Sequence, residues 1–186
     1  EHWEQNTCLE FEEVDPEANT TEPHIVFLSE SEEQCFSFMG RQTDDVPQPI
    51  NLAPECSDTL GDVVYLIGHA VGVWKEHQRP DRDTYINVDW GNIDLTSTCP
   101  VSYASFSEDL VQTHGLAYDY GSVMHFPARY EPCTVDPSQD VLTTVDERYQ
   151  KTMGQRVGLS FHDAAGVNAA YGPDKCSGST LACENK

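Results

Sequence analysis

Seven cysteines, Cys8, Cys35, Cys56, Cys99, Cys133, Cys176 and Cys183, are spread along the whole chain, and no two of them form a CxxC pair. Such spacing does not build a zinc ribbon, whose thiolates come in close pairs, and it suits cross-links between distant segments in an oxidising compartment. The chain of 186 residues is long enough for one domain with its own apolar core. Asp and Glu number 32 against 10 Lys and Arg, a net charge of −22. Phosphate backbones and anionic membrane surfaces are repelled by such a molecule, so nucleic acid is excluded as a partner. The charge keeps the chain soluble, and it also suits a basic protein or a cation-rich surrounding. No apolar run approaches about 18 residues, and no charged-then-apolar leader opens the chain, so no membrane span is expected. Asn19 begins an Asn-Thr-Thr glycosylation sequon within "DPEANTTEP", a polar stretch that reads as an exposed loop. A mature, soluble, secreted chain is expected.

Periodicity places the elements. Leu9 and Phe11 alternate with Glu10 and Glu12, which predicts a strand after a short helical turn. "HIVFLSE" (24–30) reads as an apolar strand, followed by "QCFSFMG" and the proline-interrupted "VPQPINL". Gly61 to Val71 is apolar, free of proline and ended by Gly72, the pattern of a buried helix. "TYINVDW" predicts another strand and "AYDYGSVMHF" a turn-rich segment. Leu159 to Gly172 reads as a helix, with Ser160 as N-cap, Asp163 three residues on, and Gly172-Pro173 as its stop. No internal repeat or low-complexity tract is present.

The stretch "GDVVYLIGHAVGVWKEHQRPDRD" (61–83), the turn "YDYGSVMHF" and the closing "GQRVGLSFHDAAGVNAAYG" together resemble the astacin family of zinc metallopeptidases, as do "WEQNTCLEF" and "QCFSFMGR". That family carries HExxHxxGxxHExxRPDRD and a distant SxMHY turn. Two His four apart share one helix face, the Gly lets the chain leave the helix, and the third His completes a three-nitrogen zinc site. Gly68, His69, Gly72, Trp74, Glu76 and the run Arg79 to Asp83 match, as do Gly154, Gln155, Arg156, Leu159, Ser160, Asp163, Asn168 and Tyr171. The chemistry-bearing positions depart from the pattern. Tyr65 stands at the first ligand, Leu66 at the general base, Lys75 at the third ligand and Phe126 at the tyrosine ligand; His69 remains, and Met124 is the Met of the turn. Leucine accepts no proton, and phenylalanine has no hydroxyl. An ammonium about 4 Å from a divalent cation adds several kcal/mol of repulsion at an effective dielectric near 20.

The resemblance implies an α+β fold: a twisted mixed sheet with two long helices, two lobes around a cleft, disulfide-bonded. It implies one domain over 1–186, with an upper lobe about 1–72, a lower lobe about 73–176 and a tail 177–186, lacking the family's first strand and most of its first helix. It pairs Cys8 with Cys176 and Cys35 with Cys56. Cys99 and Cys133 lie outside its basic pattern and are expected to pair with each other, other connectivities staying open. Cys183 is left free or bonded to another chain. Without the family's amino-terminal segment, Glu76 lacks its usual partner, and a complementary chain is one way to supply it. Pro47 and Pro49 are expected on the sheet edge that would hydrogen-bond a peptide, weakening it. Lys75 is expected to take the ion's place, donating toward His69 and the Tyr65 hydroxyl while Phe126 packs over the pocket.

The function expected on these grounds is a secreted pseudoprotease without catalytic zinc or other cofactor, serving binding, structure or assembly with a protein partner. Small-molecule and cation ligands stay unspecified. The alternatives are a peptide-binding decoy or inhibitor of related proteases, and an active zinc metalloendopeptidase with a rebuilt metal site. His77, His114, His125 and His162 are scattered and read singly as surface or core residues, and acidic runs such as "SESEEQ" as solvated charge.

Overall fold

Thr59 starts the helix that the apolar run predicts: its hydroxyl accepts the Asp62 amide at 3.1 Å, and α3 spans Leu60–Ala70. Gly72, at φ 86°, ends it with paired bonds, Gly72 N–H to His69 O at 2.9 Å and Val73 N–H to Gly68 O at 2.8 Å. This is a Schellman stop, whose left-handed residue glycine adopts without steric cost. The structure is a computed structural model that describes residues 1–15, 22–30, 34–42, 47–57 and 59–176, less the side chains of 55, 57 and 173–176.

Two units make up the chain, Glu1–Val73 with the segment from Val157 onward, and Trp74–Arg156. In the first, β1 (Ile25–Leu28), β2 (Phe36–Ser37) and β3 (Gln48–Asn51) form a sheet in the order β1-β3-β2, with β1 parallel and β2 antiparallel to β3. Ile50 of β3 and Leu66 and Ala70 of α3 make its buried centre, with Ile25, Leu52 and Ile67 packed around them. Cys35 is bonded to Cys56 at the end of α2 (Pro54–Ser57), tying the lead into β2 to the lead into α3.

The proline-bearing strand is therefore central, not an edge; Pro49 lies within it and Pro47 just before it. Gln48 and Leu52 donate their amides to His24 O and Leu28 O on the β1 side. Strand alternation turns the missing amide of Pro49 toward β2, whose pairing covers only Ile50 and Asn51. The proline thus shortens β2 and leaves the β1 ladder whole. A second expectation also fails: residues 9–14 form no strand, and Phe11 and Val14 are exposed. Alternation gives a strand its two faces, but a strand also needs a neighbour for its backbone groups, and the segment has none among the described residues.

The terminal helices belong to the same unit. In α1 (His2–Asn6) Trp3 is buried and its indole donates to Val64 O at 3.3 Å. The Cys8 amide donates to Asn168 Oδ1 at 2.8 Å, on α5 (Phe161–Cys176). Cys8 is disulfide-bonded; the side chain of Cys176 and all of Cys183 lie outside the described residues, as does Asn19. Ser160 and Asp163 cap α5 reciprocally, with amide-to-side-chain bonds of 2.9 Å in both directions. The predicted stop at Gly172 is a kink at φ 70°, beyond which helix resumes to Cys176.

The second unit has little regular structure. Two strands distant in the chain, β4 (Ile86–Val88) and β5 (Leu142–Thr144), pair antiparallel. Around it, buried side chains take over the work of a ladder. Asn92 accepts the Asp136 amide at 2.7 Å and donates to the carbonyls of Asp136 and Gln139. Buried Arg82 donates to His77 O and Tyr103 O, and pairs with Asp83. Cys99, at the start of α4 (Cys99–Tyr103), is bonded to Cys133.

Candidate functional site

The positions that resemble the family's site fall on α3 in the first unit and on two loops of the second. On α3, Leu66 belongs to the apolar centre with Ile50 and Ala70. A carboxylate at that position would have to leave the core or be buried at high cost; leucine satisfies it by packing. His69 is buried, with Nδ1 placed 3.2 Å from Val73 O. Its ring meets the Tyr65 ring edge-on at 4.6 Å, as residues four apart on one helix face do. The His69 carbonyl accepts the Gly40 amide at 2.7 Å, joining the helix end to the loop after β2.

In the second unit the centre is the Phe126 ring. His77 stacks on it at 4.3 Å, Tyr130 lies at 5.0 Å, Tyr103 meets it edge-on at 5.7 Å, and the Lys75 ammonium sits 4.8 Å from its centroid. That last contact is a cation–π arrangement. Burial holds the Lys75 amine below its ordinary range, since a charged ammonium loses hydration there. Tyr103 is fully buried, and burial raises its phenol to about 12.

Sequence reasoning read His77 and His125 singly, and the fold puts their rings 5.7 Å apart with no exposure to solvent. His77 Nε2 donates to Ser102 O at 2.9 Å, and its Nδ1 accepts the Phe126 amide at 3.3 Å. His125 Nδ1 donates to Phe126 O at 2.7 Å, so Nε2 accepts the Tyr118 hydroxyl, also at 2.7 Å. These partners fix both rings as neutral tautomers. Burial pushes both imidazoles down, His77 well below its ordinary value and His125 to about 4. The spacing of the two residues in the chain carries no trace of this pairing; the only sequence signal is that His77 sits beside Glu76 of the family pattern and that His125 is the His of its SxMHY turn.

Glu76 also departs from expectation. It is not left without a partner: Arg79 Nη1 donates to its Oε1 at 3.0 Å, and the Asp119 amide donates to the same oxygen at 2.8 Å. Arg79 in turn forks onto both oxygens of Asp81 at 2.9 and 2.8 Å and reaches the carbonyls of Leu116 and Ala117. The run from Arg79 to Asp83 is thus a clamp on the loop before the Met-bearing turn. That turn is held from its other side by the closing motif. Arg156 donates to Val123 O at 2.8 Å and His125 O at 3.2 Å, and Gln155 to Gly121 O at 2.8 Å. Gly154, at φ 81°, lies so near that a Cβ would stand 2.5 Å from Pro127 Cα. Met124, inside the turn, is fully buried.

A zinc ion needs three or four nitrogen, sulfur or oxygen donors. Tyr65, Leu66, His69, Lys75 and Phe126 offer one imidazole, one phenol, an apolar branch, an ammonium and a phenyl ring, and this set does not fit the ion. Among the described residues no group of three or more His, Cys, Asp and Glu is arranged to hold a metal.

The relatives are zinc enzymes by name. The family model described as Astacin, a peptidase family, matches residues 1–172. The chain is 40% identical over 184 residues to "Zinc metalloproteinase dpy-31" of Brugia malayi, covering 95% of this chain and 28% of that protein. It is 39% identical over 184 residues to "Zinc metalloproteinase nas-36" of Haemonchus contortus, covering 99% and 28%. Among solved structures it resembles High choriolytic enzyme 1, a hatching enzyme zinc-protease from Oryzias latipes, with TM-score 0.77 and 24% identity, over 91% of this chain and 77% of that one. The chain spans under a third of the length of these curated relatives.

These findings correct two expectations, that the chain is not an enzyme and that it takes no cofactor. Relatives about 40% identical over nearly its whole length are named zinc metalloproteinases, which points to an enzyme and to zinc. Both expectations rest on five side chains, and likeness along the rest of the chain outweighs them as a guide to class. The family model covers residues 1–172, and relatives about 40% identical along nearly the whole chain agree with it: the chain belongs to the astacin family of peptidases.

Proposed function

We propose that the chain is the peptidase domain of a secreted astacin-family protein that acts on polypeptides, a zinc metalloendopeptidase whose metal site is rebuilt. The observation that carries this reading is the identity of about 40% to proteins named zinc metalloproteinases along nearly the whole chain. Two features of the fold support it. Among the described residues the antiparallel strand β2 stands at the sheet edge with no strand on its outer side, a place where an extended peptide adds by main-chain hydrogen bonds. Pro49 lies on the central strand β3, so it removes no amide from the outer side of the two-residue strand β2. Disulfides such as Cys35–Cys56 and Cys99–Cys133 suit secretion.

Within this reading Tyr65, Leu66, His69, Lys75 and Phe126 occupy the family's functional positions, and at least two metal donors come from elsewhere in the full protein. Leu66 moves no proton, so that task also falls to another group. The test is metal analysis of the full-length protein coupled to gelatin cleavage with and without a zinc chelator. Stoichiometric zinc with chelator-sensitive cleavage is expected; a protein free of zinc and inert toward gelatin overturns the reading.

A further inference from the structure

The chain has 32 acidic side chains for 10 basic ones, so a basic residue without an acid beside it is unusual. Arg79, Arg82, Arg129 and Arg148 are each paired with a carboxylate. Lys75 is half-buried, and among the described residues its ammonium has neither a hydrogen bond nor an ion pair; burial alone acts on it, with no carboxylate offsetting the effect. Its neighbour Glu76 is committed to Arg79 and the Asp119 amide, and His77 to Ser102 and Phe126. The ammonium rests on the face of Phe126.

A second observation lies on the same ring. Among the described residues one buried side-chain polar atom lacks a hydrogen-bond partner, the Tyr103 hydroxyl, and Tyr103 packs edge-on against Phe126. A half-buried cation without an anion and a buried hydroxyl without a partner both cost free energy until a polar occupant meets them. Tyr130, tilted against Phe126 and 40% exposed, opens this aromatic cluster to solvent.

We infer that Lys75 is the anchor of a carboxylate-binding site on the Phe126, Tyr103 and Tyr130 cluster, and that the ligand is the carboxylate of a peptide with an apolar or aromatic neighbour. The ammonium supplies the charge-assisted hydrogen bond, and the exposed Tyr130 ring takes the apolar body. A carboxylate gives Lys75 the counter-ion that no acid among the described residues supplies. The inference rests on the proposed function only in taking a polypeptide as ligand; it does not depend on zinc or cleavage.

The carboxylate could come from an acidic side chain or a chain terminus, and two probe pairs separate them. Acetyl-Phe-Glu-amide against acetyl-Phe-Gln-amide tests the side chain; acetyl-Phe against acetyl-Phe-amide tests the terminus. Binding is followed by titration calorimetry and NMR with a chelator present throughout, so that loss of metal or activity does not bear on the result. In at least one pair the acid should bind about tenfold or more tighter than its neutral partner. Lys75→Met and Lys75→Gln should abolish that preference without lowering the melting temperature, and Lys75→Arg should keep most of it. Equal binding of acid and neutral probe in both pairs, no binding of either acid, or a preference that survives both neutral substitutions overturns the inference. If zinc and cleavage fail while the acid preference holds, the proposed function falls and this site stands.

Discussion

At the scale of single residues, the clearest constraint is Gly154. A methyl group there would stand 2.5 Å from Pro127 Cα, and the backbone is at φ 81°. Gly154→Ala should therefore destabilise by about 3 kcal/mol, from strain and displaced backbone together, read as a lowered urea midpoint. Arg79 is the second. Its guanidinium meets Glu76, Asp81 and two carbonyls from a position almost without exposure. Removing it takes the guanidinium away from the partly buried Glu76 carboxylate, so Arg79→Ala should cost on the order of 3 kcal/mol by the same measurement. Lysine cannot reproduce a fork onto two oxygens, so Arg79→Lys should recover only a small part of the loss. The sequence showed that Arg79 and Gly154 belong to a pattern. It could not show why, because the groups that need them, Glu76 and Pro127, are distant in the chain or stood in the reading for something else.

Elements were legible where their signals are local. The run from Gly61 to Val71 and the Ser160–Asp163 box lie within a turn or two of the structure they set, and both appear as α3 and the start of α5. Ser160→Ala should cost about 1 kcal/mol by freeing the Asp163 amide, with amide exchange speeding in the first turn of α5 before any other segment. Strands were legible in type and not in place. "VPQPINL" is a strand, but whether it is central or an edge depends on which segments flank it, and periodicity is silent on that. Leu9 to Glu12 has a strand's alternation and no ladder, because the pattern states a preference that only a partner can realise. In the site, the four exchanged positions, Tyr65, Leu66, Lys75 and Phe126, could be read directly. The pairing of His77 with His125 could not, since it joins two loops far apart in the chain.

For the molecule as a whole, those two histidines set an acid limit. Both imidazoles are pushed down by burial, His125 to about 4, whereas in the unfolded chain each titrates near about 6.5. Between those values the unfolded state binds more protons than the folded one, so stability is complete above about pH 6.5 and falls as the pH drops toward 4. The slope is about 1.4 kcal/mol per pH unit for each histidine, and His125 alone contributes on the order of 3 kcal/mol across the window. Carboxylates held low by hydrogen bonds, such as Asp94 and Asp136, release their contribution only at more acid pH, below their ordinary range. Urea unfolding at pH 7.0, 6.0 and 5.0 should thus show a steady loss; a flat profile would mean that the two rings are not buried as neutral pairs.

The bond between Cys99 and Cys133 joins residues 34 apart in sequence, and the exposed Leu110 lies within the span it encloses. A single chymotryptic cut after Leu110 would therefore yield a molecule that still migrates as one piece on a gel. Two fragments would appear only once a reducing agent is added. Intactness on a non-reducing gel is consequently no proof that the backbone of this protein is unbroken.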